Sequence, residues 1–247
     1  PVVNIIEKSP EEKISEIIPV KEFSDNEYLV MVTKNGIIKK TPASEYESIR
    51  KSGKIAITLK EGDELISIFK TTGNDNIFLA TINGMAICFN ENDARAVGRT
   101  ASGVKAIDLA DGDYVVGAEP VREDSKVLLV TDGGYGKCTD LTSFRIQHRG
   151  GKGLKAYKIT EKTGNIIGIS MVNDSEELIM VTSEGVVIRI RIKDIATTTG
   201  RITQGVRLIN LNDGVTVVSM DKISAEDTVE EESEENNTEV TAETTEE

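Results

Sequence analysis

Residues 126–139 read KVLLVTDGGYGKCT. Two short runs of β-favouring residues flank the turn Asp132-Gly133-Gly134. Glycine tolerates positive φ, so this stretch is expected to fold as a tight hairpin. The same turn recurs along the chain: VTKNG ends at Gly36, ATING at Gly84, VTDGG at Gly134 and VTSEG at Gly185, in steps of 48, 50 and 51 residues. A second anchor follows each turn. GKIAITL starts at Gly53, GVKAIDL at Gly103, GLKAYKI at Gly153 and GVRLINL at Gly205, in steps of 50, 50 and 52. Two independent anchors keeping one period define a structural repeat.

Each unit reads as four short strands. In the third unit they are residues 126–131, 135–139, 154–159 and 166–172. The later pair is linked by a turn such as Glu61-Gly62-Asp63 or Asp111-Gly112-Asp113. Four strands per repeat without helical periodicity predict an all-β array of propeller-like blades. One blade cannot cover its own faces, so neighbours must stack. PVVNII (1–6) matches the third strand of a unit and ISEIIPV (14–20) the fourth. Residues 1–23 therefore read as half a blade, with the other half expected upstream in a longer protein. Four complete repeats follow at about 24–73, 74–124, 125–175 and 176–223.

The formal charge of −13 is unevenly placed. Residues 225–247 hold 11 acidic and no basic residues, whereas residues 1–224 hold 29 basic and 31 acidic ones. The body is near neutral. The acidic tail, 224–247, has almost no large apolar residues and is expected to be disordered. Cys88 and Cys138 are the only cysteines and lie far apart, which argues against a disulfide framework and fits a reducing cytosol. No apolar run approaches the roughly 18–20 residues a membrane span needs, and no signal peptide is expected. A cytoplasmic protein is expected.

Catalytic patterns fail in detail. TDGGYGKCT (131–139) has Thr131 at the first glycine position of a P-loop and Cys138 after Lys137, where Ser or Thr is required. GKGLKA (151–156) precedes a strand, whereas a dinucleotide fingerprint opens a helix. One histidine and two scattered thiols do not make a zinc site. No catalytic, metal or cofactor site is expected.

Cations, by contrast, recur at equivalent positions. After the hairpin turn come Lys39 and Lys40, Lys137, and Arg189 with Arg191. Before the second anchor come Arg50 and Lys51, Arg99, Arg149 with Lys152, and Arg201; after its glycine come Lys54, Lys105, Lys155 and Arg207. In a circular array equivalent positions share one rim, so a polyanion following it would meet cations at every blade and release counterions. The plainer alternative is ordinary solvated charge, since the body is not net basic. The loop QHRGGKG, Gln147-His148-Arg149-Gly150-Gly151-Lys152-Gly153, favours the track. Its glycines permit close backbone approach, and their N–H groups with Arg149 and Lys152 suit successive phosphate oxygens. Both cations are expected to be exposed and unpaired. The alternative is a glycine linker with incidental charge.

QHRGGKG resembles the gyrase A box, Gln-(Arg/Lys)-Arg-Gly-Gly-(Arg/Lys)-Gly, of the C-terminal domain of DNA gyrase A subunits, with His148 in place of the usual cation. The resemblance extends over nearly the whole chain, through PVKEF, EYLVMVTKNGIIKKTP, VGRTASGVKAIDL, GDYVVGAEPVRED and GRITQGVRLINL. It implies a β-pinwheel, a disc of blades joined by strand exchange. It implies double-stranded DNA as partner, wrapped around the rim with weak sequence preference, and assembly with gyrase B and with the rest of the A subunit. The box usually lies in the first blade of the complete domain, whereas here it falls in the third complete unit, which marks it as a degenerate relative of a principal box upstream. The family's catalytic tyrosine lies outside this sequence, so the fragment is expected to bend DNA without cutting it. Two alternatives remain at this point: the related domain of topoisomerase IV, and a propeller that binds proteins.

Overall fold

The computed structural model describes residues 17–48 and 53–224. Most of the expected half blade and the tail beyond Ser224 lie outside the described residues, as do Arg50 and Lys51. The first unit supplies β1 (Tyr28–Thr33), β2 (Ile37–Pro42) and β3 (Leu65–Thr71). The second supplies β4 (Asn76–Thr81), β5 (Met85–Asn90), β6 (Val104–Lys105) and β7 (Val115–Pro120). The third supplies β8 (Lys126–Thr131), β9 (Tyr135–Asp140), β10 (Leu154–Lys155) and β11 (Ile166–Val172). The fourth supplies β12 (Glu177–Thr182), β13 (Val187–Arg191), β14 (Thr197–Thr198), β15 (Val206–Arg207) and β16 (Val217–Ile223).

Every hairpin closes in the same way. The amides of Gly36, Gly84, Gly134 and Gly185 donate to the carbonyls of Thr33, Thr81, Thr131 and Thr182 at 2.9–3.0 Å. The short strand after the second anchor then leaves its own unit. β6 pairs with β2, β10 with β5 and β15 with β9, so each unit completes the sheet of the one before it. The sheets run β3-β1-β2-β6, β7-β4-β5-β10, β11-β8-β9 with β14 and β15, and β16-β12-β13. Strands β3, β7, β11 and β16 surround a common central cavity, which puts the exchanged strands on the outer rim.

Strand alternation explains the stacking. In β4, Ile77 and Leu79 pack against Val30, Val32 and Ile38 of the first sheet, while Phe78 and Ala80 pack against Val127 and Leu129 of the third. In β8, Leu128 and Val130 face Leu178 and Met180 of the fourth. The period of two sends successive side chains to opposite neighbours. Each hydrophobic core is thus an interface between blades. A buried carboxylate reinforces the first interface: Glu91 accepts from the amides of Gly73 and Asp75 at 2.9 and 2.8 Å and from Thr71 Oγ1 at 2.8 Å, and lies 3.3 Å from Lys40 Nζ.

The exchanged strand needs glycine at its start. Gly153 has φ +74°, and a Cβ there would lie 2.4 Å from the Ala86 carbonyl oxygen. Gly103 and Gly205 meet Ile38 and Gly136 carbonyl oxygens in the same manner. Gly53, in the first unit, has a similar φ of +72° and no atom within 4 Å of its would-be Cβ, and β13 has no exchanged strand among the described residues.

Candidate nucleic-acid interface

The QHRGGKG loop lies on the rim, between the short 3-10 turn after β9 and β10. It is built into the joint between the second and third blades. The Gln147 amide donates to Cys88 O at 2.8 Å, and the Gly150 amide to Ala106 O at 2.6 Å. Gly151 O accepts from the Asp108 amide at 2.9 Å. Arg149 donates through its amide to Asp93 Oδ2 (3.2 Å), through Nε to Asp93 O (2.7 Å) and through NH1 to Lys105 O (3.0 Å). This corrects the expectation for Arg149, which is half-buried and bonded rather than exposed and unpaired. The Gly150 N–H is likewise already engaged. His148 and Lys152 remain at the tip; the His148 side chain is 97% exposed, with Nδ1 3.2 Å from Asp93 Oδ2.

The arginine contact repeats. Arg99 NH1 donates to Ile55 O at 3.4 Å and Arg201 NH1 to Lys155 O at 3.3 Å, as Arg149 does to Lys105 O. Each of these half-buried arginines clamps the carbonyl two residues beyond the preceding unit's anchor glycine, which for Arg149 and Arg201 lies in the exchanged strand.

Three further candidates leave the surface altogether. Lys39 and Lys137 are 1% and 0% exposed, and Lys40 is 5% exposed. On β2 and β9 alternation turns Lys39 and Lys137 into the space beneath the next unit's loop and sends Lys40, the neighbour of Lys39, to the opposite face of β2. Lys39 Nζ donates to Ala56 O and to Arg99 O (2.5 Å); Lys137 Nζ donates to Arg201 O (2.5 Å) and Gly200 O (3.3 Å). Lys40 pairs with Glu91 and lies over the Tyr28 ring. Burial, helped by the neighbouring Arg99 and Arg201 guanidinium groups, pushes the Lys39 and Lys137 ammonium groups down to about 8.

The exposed candidates are Lys105, Lys155, Arg189, Arg191 and Arg207, with His148 and Lys152. Lys105 bonds Asp108 at 2.7 Å and holds that carboxyl below its usual range. Arg189 pairs with Glu177, and Arg191 with Asp194 at 2.8 Å. Arg207 donates to the Tyr135 hydroxyl through Nε (3.1 Å) and NH2 (2.9 Å), favouring its phenolate. Lys54 is half-buried, with Nζ 3.4 Å from Glu45 O. Arg95 and Arg145 are exposed rim cations that the repeat pattern above did not single out, and among the described residues no hydrogen bond or ion pair holds their side chains. Both lie eight residues before an anchor glycine, Gly103 or Gly153, and that shared offset is the signal that could have found them.

The model of the DNA gyrase C-terminal domain, beta-propeller, matches residues 27–72, 75–122, 125–173 and 176–224, one segment per unit. The chain belongs to this family. Among similar sequences are the DNA gyrase A subunits of Clostridium acetobutylicum, 49% identical over 92% of this chain, and of Halalkalibacterium halodurans, 54% identical over 92%. The chain spans about a quarter of those relatives, 27% of each. A solved C-terminal domain of DNA topoisomerase IV superposes with a TM-score of 0.86 at 29% identity, covering 96% of this chain and 74% of that one. A DNA gyrase A C-terminal domain superposes with 0.80 at 25% identity, covering 90% and 74%.

Proposed function

We propose that this domain binds double-stranded DNA along its outer rim and bends it around the disc without cutting it. Within a gyrase holoenzyme this would present a second DNA segment for strand passage and favour negative supercoils. The observation that carries the reading is the recurrence of exposed cations at matched rim positions: Arg95 with Lys105 on one unit, Arg145 with Lys152 and Lys155 on the next, and Arg207 on the last. A polyanion crossing successive blades meets a cation at each. Among the described residues no helix offers itself to the major groove, and phosphate contacts position without specifying, so sequence preference is weak beyond deformability. The partners are DNA, gyrase B and the rest of the gyrase A chain, in the bacterial cytoplasm at the nucleoid. The parent enzyme is an ATP-dependent type IIA topoisomerase whose catalytic tyrosine lies outside this chain, and the domain itself uses no cofactor.

The test is a salt titration of DNA binding for wild type and for the double variant Lys152→Ala/Lys155→Ala. Two lost phosphate contacts flatten the slope of log K against log salt by about 1.8, at roughly 0.9 per contact. Unchanged affinity and slope would remove these residues from the track. A wild type whose affinity ignores salt would point to the protein-binding alternative.

A further inference from the structure

The third residue after the hairpin glycine alternates along the chain: Lys39, Ile87, Lys137, Ile188. The two lysines are buried, yet among the described residues neither ammonium is paired with a carboxylate. Each reaches the backbone of the next unit's rim loop and bonds the carbonyl of its clamping arginine, Arg99 or Arg201, at 2.5 Å. Tyr46 donates to the same Ala56 carbonyl that Lys39 uses, and the Tyr157 ring lies 5.3 Å from Lys137 Nζ. Over Ile87 the loop is different. There Gly150-Gly151 lies against the aliphatic side chain, which a Cβ on Gly151 would approach to 3.9 Å. An isoleucine offers no donor, and the loop above it is tied down by the Gly150 amide and Arg149 instead.

We infer that Lys39 and Lys137 are positioning residues of the rim: each holds the peptide of a clamping arginine, and through it sets the exposed cations that flank the joint. The path can be followed atom by atom. Lys137 Nζ holds Arg201 O; Arg201 NH1 holds Lys155 O; the Lys155 side chain stands exposed beside the QHRGGKG loop. Arg207, two residues beyond Gly205, leaves the same loop on β15. Lys39 likewise holds Arg99 O, in the loop that leads into Lys105. Neither lysine meets the polyanion itself. The functional half of this inference rests on the DNA-binding reading above; the geometric half does not.

Trypsin supplies the test, because the carbonyls held by the two lysines are those of arginine peptide bonds. Cleavage after Arg99 or Arg201 requires the carbonyl to leave its lysine. Lys137→Met keeps the length and apolar stem of the side chain and removes the donor. It speeds cleavage after Arg201 while leaving cleavage after Arg99 and Arg149 at the wild-type rate. Lys39→Met speeds cleavage after Arg99 alone, and Lys137→Arg, which restores a cationic donor, returns the Arg201 site towards the wild-type rate. Unchanged cleavage at the cognate site, or equal acceleration at all three, overturns the positioning role. The double methionine variant binds a linear duplex between about two-fold and thirty-fold more weakly, the range for residues acting through a neighbour. If wild type binds duplex and the double variant binds it equally well, the functional half fails. If wild type does not bind duplex at all, the DNA reading fails and the cleavage pattern alone decides whether the lysines position the loops.

Discussion

Buried lysine is costly when charged, and that sets a sign for pH. A solvated lysine titrates near 10.5, whereas Lys39 and Lys137 titrate at about 8 in the folded chain. Between those values the unfolded chain binds more protons than the folded one, so stability rises with pH from about 8 towards 10.5. Below about 8 both states are protonated and these groups add no slope. Denaturant midpoints measured from pH 7 to 10 should therefore climb in wild type and climb less in Lys137→Met; parallel curves would contradict the depressed lysines. Lys40 behaves differently, because its charge is matched by Glu91. Glu91→Ala leaves a buried ammonium unpaired and strips three donors of their acceptor. It should cost roughly 3–5 kcal/mol in chemical unfolding. The fate of these lysines was not legible in the sequence. A lysine in a strand reads as surface charge. What buries Lys39 and Lys137 is a row of carbonyls some sixty residues further along, at Arg99 and Arg201. Arg149 escaped for the same reason: its partners, Asp93 and Lys105 O, belong to the preceding unit.

At the scale of the strand and its turn, the sequence was far more informative. The hairpin glycine and the anchor glycine are both set by backbone geometry, which side-chain variation cannot disguise, and together they expose the period. The length of the third strand was less legible. In the third unit residues 154–159 read as one strand, but only Leu154–Lys155 form a ladder, because the chain then turns inward after crossing to the preceding sheet. The crossing makes a graded prediction about glycine. Gly153→Ala combines a left-handed φ with a Cβ 2.4 Å from Ala86 O, a backbone atom that cannot swing aside. Gly112→Ala carries a similar φ of +72° with nothing within 4 Å. The first should destabilise by the left-handed penalty of about 1–2 kcal/mol plus an overpacking cost of about 1–3, the second by the left-handed penalty alone. Urea midpoints of the two variants measure the difference, and equal losses would show that the joint yields.

For the whole molecule, cores shared between sheets tie each blade to its neighbours, as in a repeat array. Phe78 sits at the second of these interfaces, edge-on to Phe144 with ring centroids 4.9 Å apart. Phe78→Ala should lose about 3–5 kcal/mol, and its unfolding should stay a single transition if the blades act together; a split transition would mean that they do not. The architecture was legible because fifty-residue self-similarity survives in four copies. The tail falls outside the described residues. On the proposed DNA-binding reading, eleven acidic residues tethered to the rim would compete with DNA at high effective concentration. A chain ending at Ser224 should bind duplex more tightly at low salt, with the gap closing as salt screens both interactions. Equal affinity at low salt would leave the tail a solubilising role.

Strand exchange also governs how such a domain can change length. The boundaries of the sheets and the boundaries of the sequence repeat are out of step, as in overlapping roof tiles. A cut between sheets therefore strips one tile of its cover: a chain ended after Val172 loses β15 and bares the edge of β9. Removal of residues 104–153 acts otherwise. It joins Gly103 directly to Leu154, so the strand that followed Gly153 now follows Gly103 and meets β2 in the register that β6 held. What matters is that one whole period is lost, wherever the excision begins. In-frame recombination between repeats can thus add or subtract a blade while keeping the same kind of strand pairing, and the circumference of the rim can vary in whole-blade steps.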